Sequence, residues 1–420
     1  MAPAADDPAD DAADVARVDV DAATRAIADV ALRTPTLTCD ELDGACGCRV
    51  VLKCECFQRT GSFKLRGVLN KIAALGPRAA AGLVTASAGN HGRALAYAAR
   101  ARGLACDVFI PRDASVSKVA AIEALGASVH VDGDTVDEAI AAARAHAQAN
   151  GAAFVHPFDD IDVIAGQGTI GLELLEQVDD LVRVVVPLGG GGLAAGIGSA
   201  LARRGADVQL IGVQAAACAP FPASLEAREP TPVAAGATIA DGIAIKRPGG
   251  LSLSLLRTLL DEVVLVSEDE IARGMAALVE HASVVAEGAG AAGVAALLAG
   301  RLAPAAGTTT VIVSGGNVDS GLLAAVLRRR ETELGRRVRL FTRVPDRPGG
   351  LAGVIDLVAG ERANLLSIEH LREGVSLHVR ETGVELTLET RGPLHTERVV
   401  AALRAAGYEV ALEQRADDER

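Results

Sequence analysis

Tryptophan is absent from this chain, and aromatic residues make up only 2% of its 420 residues. The core must therefore be built from Ala, Val, Leu and Ile, which suits helices packed on a parallel sheet. Positive charge is also in short supply. With 41 Lys and Arg against 54 Asp and Glu, the formal net charge is −13, which argues against a nucleic-acid partner, because such proteins present a basic face. The stretch Met1 to Asp14 has neither a basic n-region nor an apolar h-region, so it does not read as a secretory signal and is expected to be a disordered acidic tail. The longest uncharged run, Val184 to Ala202, is broken by Pro187 and four glycines, which favours a strand, a loop and a helix over a membrane span. Seven cysteines, odd in number and scattered, fit reduced thiols in the cytoplasm rather than a disulfide framework. Cys46-Gly-Cys48 and Cys54-Glu-Cys56 lack the second pair or the histidines that a zinc site needs. His130, His146, His281 and His395 also lack ligand spacing and are expected to be surface or packing residues.

What is present is a regular alternation. From Val50 to Val313, short β-branched runs are followed by longer Ala/Leu-rich stretches of helical period, the pattern of an α/β fold with a largely parallel sheet. Leu83 to Ala86 predicts a strand leading into a helix at Asn90 to Arg102. Asp107 to Ile110 leads into Val116 to Leu125, and Ser128 to Val131 into Val136 to Ala149. Later units are Val184 to Pro187 with the glycine block and its helix, and Val263 to Val266 with Asp269 to His281. The catalytic domain is expected over 15–330, followed by an Arg/Glu-rich linker over 331–337 and a second domain over 338–415. In that second domain the order is a strand (Val338 to Val344), a helix with Leu351, Val354, Ile355 and Val358 on one face, two strands (Leu365 to His370, Val384 to Leu388), a helix (Thr396 to Ala406, closed by Gly407) and a strand (Glu409 to Leu412). That β-α-β-β-α-β order is ferredoxin-like.

Three segments carry chemistry. In Thr60-Gly-Ser-Phe63-Lys64, a lysine follows a tight turn and enters a helix, where a desolvated pocket would lower its pKa and free the amine as a nucleophile; a surface lysine opening an amphipathic helix is the plainer reading. Ser87-Ala-Gly-Asn90-His-Gly92 lies at a strand-to-helix junction, where open sheets place ligands. Gly189-Gly190-Gly191-Gly192-Leu193 also lies between strand and helix, so its amides can cradle a phosphate. It is not a P-loop, for which Gly-Lys-Ser/Thr is missing. Nor does it fit a dinucleotide site, because the next strand, Gln209 to Val213, is followed by Gln214 rather than an acid. Val311-Ile-Val-Ser314-Gly-Gly-Asn317 adds a further strand end tipped by a small hydroxyl.

Together these four ordered motifs resemble the tryptophan-synthase β-like family of pyridoxal-phosphate enzymes, most closely the threonine ammonia-lyases (threonine dehydratases), over about Arg17 to Arg330. The C-terminal segment resembles an ACT domain, a small amino-acid-sensing module. The resemblance implies that Lys64 holds pyridoxal 5'-phosphate as a Schiff base and removes the substrate Cα proton. It further implies that Phe63 covers one ring face, Asn90 bonds the 3′-oxygen, the amides of Gly189 to Leu193 hold the phosphate, and Ser314 meets the pyridine nitrogen. A neutral hydroxyl there makes a weaker electron sink than a carboxylate and favours rapid loss of the β-hydroxyl. Ser62 and the segment Ser87, Ala88, Gly89 and Asn90 are placed to receive the substrate carboxylate, or serve only as turn and cap. Similar serine racemases carry a serine where this chain has Ala88, which disfavours racemisation. Relatives with a divalent-cation site carry acids after the strand that here ends at Gln214; this chain has Gln214, Cys218 and Pro220, so no divalent metal is expected there, while a monovalent ion held by carbonyls stays open. Thr238 to Ala244 and the Ala286-Glu287-Gly-Ala-Gly segment also match stretches lining the cofactor, with Glu287 either contacting ring or substrate or capping a helix.

In the ACT-like segment the resemblance implies an amino-acid effector at Asp346, Gly349 and Leu351, with Asn364 leading into the second strand; a ligand-free clasp is the other reading. The expected activity is conversion of L-threonine to 2-oxobutanoate and ammonia, feeding isoleucine formation under ACT-domain feedback. Alternatives on the same fold are an L-serine ammonia-lyase and a β-replacement enzyme; a catalytically silent amino-acid sensor is a third. Small-molecule partners, no nucleic acid, no membrane and a homo-oligomer, tetramer or dimer, complete the expectation.

Overall fold

The computed structural model describes residues 15–112, 114, 116–372 and 380–412; the acidic tail expected over 1–14 lies outside them, as does the end of the domain expected to reach 415. The chain divides between Asp319 and Ser320 into two compact units. The first contains two sheets. Its strands in chain order are β1 (Thr36–Thr38), β2 (Val50–Cys54), β3 (Leu83–Ala86), β4 (Cys106–Ile110), β5 (Ser128–Val131), β6 (Ala153–Phe154), β7 (Leu181–Pro187), β8 (Gln209–Ala215), β9 (Glu262–Val266) and β10 (Thr308–Val313).

The larger sheet has the order β1-β2-β10-β7-β8-β9, parallel except for the β1 edge. Every residue of β2 and β10 is buried, the outcome expected where helices cover both faces of a parallel sheet. The smaller sheet, β5-β4-β3-β6, is wholly parallel. Its Leu83, Val108 and Ile110 pack with Ala94, Leu95 and Ala98 of the helix Asn90–Arg102, while Val84, Ala86 and Phe109 pack with Ala139, Ala143 and Ala147 of the helix Val136–Asn150.

Because β2, β7, β8 and β10 run in one direction, their C-terminal ends share one edge. The segments that follow β2, β7 and β10, leading to Lys64, Gly189 and Ser314, therefore start side by side, with Gln214 near the end of β8 beside them, where open α/β sheets bind ligands. Val184 to Ala202, the long uncharged run, is strand β7, the glycine loop and the helix Gly192–Arg203. Among the described residues, no helix is long and apolar enough to cross a membrane.

The second unit begins with the helix Ser320–Glu333, followed by β11 (Arg337–Pro345), β12 (Asn364–Leu371), β13 (Glu381–Glu389) and β14 (Val410–Leu412). They form an antiparallel sheet of order β12-β13-β11-β14, with the helices Gly350–Gly360 and Pro393–Ala405 completing the ferredoxin-like order. The stretch expected as a linker over 331–337 is partly regular structure. Residues up to Glu333 are helical, and β11 already starts at Arg337. The Arg/Glu richness that suggested a linker belongs to a solvated helix face, with Arg329 and Arg330 paired to Glu333 four and three residues on.

Candidate active site

The turn before Lys64 is clamped to the end of β10. The Phe63 amide donates to the Ser314 carbonyl (3.1 Å), the Gly316 amide donates to the Gly61 carbonyl (2.9 Å), and Ser62 and Gly315 form an antiparallel bridge. Gly61 has φ +76°, and a Cβ there would sit 2.5 Å from the side-chain oxygen of Asn317, so the turn requires glycine. The helix Lys64–Leu75 then starts with Lys64 as its first residue.

That helix is anchored by a buried ionic network. Arg66 donates to both Glu55 oxygens (2.8 and 2.9 Å) and to Glu173 (2.6 and 3.0 Å), and Lys53 donates to Glu173 (2.5 Å), Gln177 and the Thr34 carbonyl. Lys53, Glu55 and Arg66 are all essentially inaccessible to solvent. Two cations and two carboxylates balance, as burial demands. Lone charged residues on strands and helices read as exposed, so nothing in their spacing reveals this pairing across more than 100 positions.

The Lys64 amine donates to the Pro157 carbonyl (2.8 Å) and lies 5.0 Å from the centroid of the Phe63 ring. Burial pushes its pKa down to about 8, against the opposing pull of Glu287. Glu287 is itself buried, and desolvation followed by the charge of Asp241 raises its carboxyl to about 7, partly offset by a hydrogen bond from Asn90. Glu287 stands at the N-cap of the helix Gly288–Leu298 but makes no side-chain capping bond. Its carboxylate instead accepts from Asn90 Nδ2 at 2.7 Å. Asn90 Oδ1 accepts from Asn317 Nδ2 (2.6 Å), which also donates to the Thr60 carbonyl (2.9 Å). Thus Asn90, Glu287, Asn317 and the turn preceding Lys64 form one connected set.

Ser62 Oγ is buried without a hydrogen-bond partner, a polar atom awaiting a ligand. Ser314 is buried too, held against the same turn by its carbonyl. Ser87 Oγ accepts from the Gly89 amide (3.2 Å), so this hydroxyl performs turn duty in the structure; Ala88, Gly89 and Asn90 are half-buried around it. His91 and His156 sit close behind. Burial lowers their pKa values to about 3 and about 4, so both imidazoles are neutral; His91 Nε2 faces the Val155 carbonyl, and His156 Nδ1 accepts from the Phe158 and Asp159 amides.

The glycine block follows β7. Gly191 has φ +101° and caps the helix Gly192–Arg203, while a Cβ at Gly190 would lie 2.4 Å from the Phe158 ring. The amides of Gly189 to Leu193 donate to no group among the described residues. A helix N-terminus with free, convergent amides fits a phosphate group. Together with a desolvated amine and an unpaired buried hydroxyl, this donor set fits pyridoxal phosphate. Gln214 is used structurally, donating to the Leu188 carbonyl (3.0 Å) and accepting from the Phe221 amide (3.0 Å).

In the second unit, a cavity of about 410 Å³ is lined by Asp346, Gly349 and Leu351 together with His370 and Arg372. Asn364 is not part of it; its amide donates to Glu389 (3.0 Å), and it lines a separate hollow beneath Ile355 and Val358.

The family model for pyridoxal-phosphate dependent enzymes matches residues 27–316. An L-threonine ammonia-lyase of Thermotoga maritima is 42% identical over 94% of this chain and 98% of its own length. The biosynthetic L-threonine dehydratase IlvA of Mycobacterium bovis is 36% identical over 94% of this chain and 93% of its own. Among solved structures, the processed form of threonine deaminase isoform 2 from Solanum lycopersicum superimposes with a TM-score of 0.70 and 30% identity, covering 76% of this chain and 88% of that one. The edge built by four parallel strand ends, and the match over residues 27–316, place this chain in the family of pyridoxal-phosphate dependent enzymes.

Proposed function

We propose that the protein is an L-threonine ammonia-lyase, converting L-threonine to 2-oxobutanoate and ammonia, with its second unit acting as an amino-acid-responsive ACT domain. The carrying observation is the Lys64 amine, desolvated and held at 2.8 Å from the Pro157 carbonyl beside a cradle of free amides. Full-length similarity to threonine ammonia-lyases supports the substrate. When bound, pyridoxal phosphate supplies an aldehyde for Lys64 and an electron-withdrawing ring that acidifies the substrate Cα–H. The chain supplies the rest. The amides of Gly189 to Leu193 would hold the phosphate, Phe63 would flank the ring, Asn90 would bond the 3′-oxygen, Ser314 would meet the ring nitrogen, and Ser62 with the Ser87–Asn90 loop would receive the substrate carboxylate. Lys64 takes the Cα proton, an action its lowered pKa favours near neutral pH.

A place in isoleucine formation and feedback at the 410 Å³ cavity are part of the proposal. Arg372 and Asp346, 3.4 Å apart, offer one charge each to the carboxylate and ammonium of a free amino acid. The test is a 2-oxo acid assay with L-threonine and L-serine, with and without isoleucine. Preference for threonine and inhibition by isoleucine are expected. Equal rates on both substrates would leave the elimination chemistry but remove the threonine assignment, and isoleucine binding unchanged by deletion beyond Arg337 would remove the regulatory one.

A further inference from the structure

Away from the edge that carries Lys64, three polar side chains from three separate elements converge on the small sheet. Asp107 lies on β4, His130 on β5 and His146 on the helix Val136–Asn150. Phe109 pairs with His130 in register, and Asp107, two residues earlier on β4, shares the face of Phe109. His130 Nε2 lies 2.7 Å from one Asp107 oxygen and His146 Nε2 lies 3.7 Å from the other. All three candidate ligand atoms fall within 4.8 Å of one another. The Phe109 ring stacks on His130 at 4.6 Å and 17° and meets His146 at 5.3 Å, holding both imidazoles in place.

Charge balance singles this cluster out. The Asp107 side chain is only 24% exposed, yet among the described residues no Lys or Arg pairs with it. Arg144, two positions before His146, lies instead over the Phe154 ring at 4.4 Å. A cation held between the two imidazoles and the carboxylate would offset that charge. Two imidazole nitrogens and one carboxylate suit a transition metal rather than magnesium or calcium, which prefer all-oxygen shells.

We propose that Asp107, His130 and His146 bind a divalent transition-metal ion of the zinc class, with water completing the shell. Bonds of about 2.0–2.2 Å need ligand atoms roughly 3–4 Å apart, a spacing His146 and Asp107 already have at 3.7 Å, whereas His130, at 2.7 Å from Asp107, must draw back slightly on binding. The ion ties helix Val136–Asn150 to β4 and β5, on the opposite face of the sheet from the helix that carries Asn90. Its role is therefore structural. The three ligands lie on separate elements, so linear spacing in the sequence does not reveal them.

The test is equilibrium dialysis of the cofactor-loaded full chain against Zn²⁺ with metal analysis, comparing wild type, His146→Ala, Asp107→Asn and a Cys46→Ser/Cys48→Ser double variant. Expected are one zinc equivalent and a zinc-dependent rise in melting temperature in wild type and the Cys variant. Affinity should fall about ten-fold or more in His146→Ala and Asp107→Asn, since losing even a residue that only orients a ligand costs about that much. His146 is a half-buried helix residue and Asp107→Asn keeps the shape of its side chain, and circular dichroism checks that both fold. Equal zinc uptake in those two variants, uptake abolished only in the Cys variant, or no uptake by wild type would each overturn the site.

Discussion

Asn90 and Glu287 are joined by a 2.7 Å hydrogen bond that spans 197 positions of chain and links the small sheet to the large one. The carboxyl it holds is buried, with a pKa raised to about 7. For an acid with a raised folded pKa, the folded state binds more protons between pH 4.5 and 7. The stability from this group is thus fully present below pH 4.5 and lost as the pH rises through 7. Glu287→Gln, which keeps the acceptor for Asn90, should become more favourable relative to wild type between pH 5.5 and pH 8, by about 2 kcal/mol. Urea unfolding of cofactor-free protein at the two pH values measures this, and an unchanged difference would contradict it.

The Lys64 amine is lowered from 10.5 to about 8 by burial, so its neutral form, the one that attacks an aldehyde, grows as the pH passes 8 rather than 10.5. The rate at which cofactor-free protein takes up pyridoxal phosphate should rise with an inflection near pH 8. Stopped-flow absorbance reads the profile, and a rise continuing to pH 10 would place the amine in solvent.

Gly190 has no room for a side chain, because a Cβ would lie 2.4 Å from the Phe158 ring, whereas Gly44, inside the helix Asp40–Cys46, has open space. Gly190→Ala should weaken cofactor binding by about ten-fold or more through a displaced cradle. Gly44→Ala should raise stability by about 0.5–1 kcal/mol and leave the cofactor alone. Fluorescence titration and thermal unfolding separate the two.

The strand-helix units were largely legible. Leu83–Ala86 with Asn90–Arg102 and Ser128–Val131 match their sequence expectations at both ends, because compact β-branched runs and long Ala-rich stretches differ sharply in period. The two-residue β6 and three-residue β1 carry too few residues for any period to show. Asn90, Ser314 and the glycine block stood out because each lies within a few residues of a strand end, whereas Lys64, well past the end of β2, stood out through the Thr60-Gly-Ser turn before its helix. Glu287 was seen but not its orientation, and Arg66, Glu55 and Lys53 were missed because a buried charge is recognisable only through partners the fold brings in. His130 and His146, expected as surface or packing residues, meet at Asp107 for the same reason.

Arg66, two residues after Lys64, neutralises Glu55 where neither meets solvent. Arg66→Met leaves that carboxylate uncompensated and should cost about 3–5 kcal/mol of stability. Chemical denaturation checks this; a loss below about 1 kcal/mol, the worth of a surface pair, would mean the network is solvated in solution.

The most direct test of the account is borohydride reduction of the cofactor-loaded protein followed by peptide mapping. The account predicts a pyridoxyl adduct on the peptide containing Lys64 and no colour or adduct in Lys64→Ala. An adduct on another lysine, with Lys64 unmodified, would contradict it.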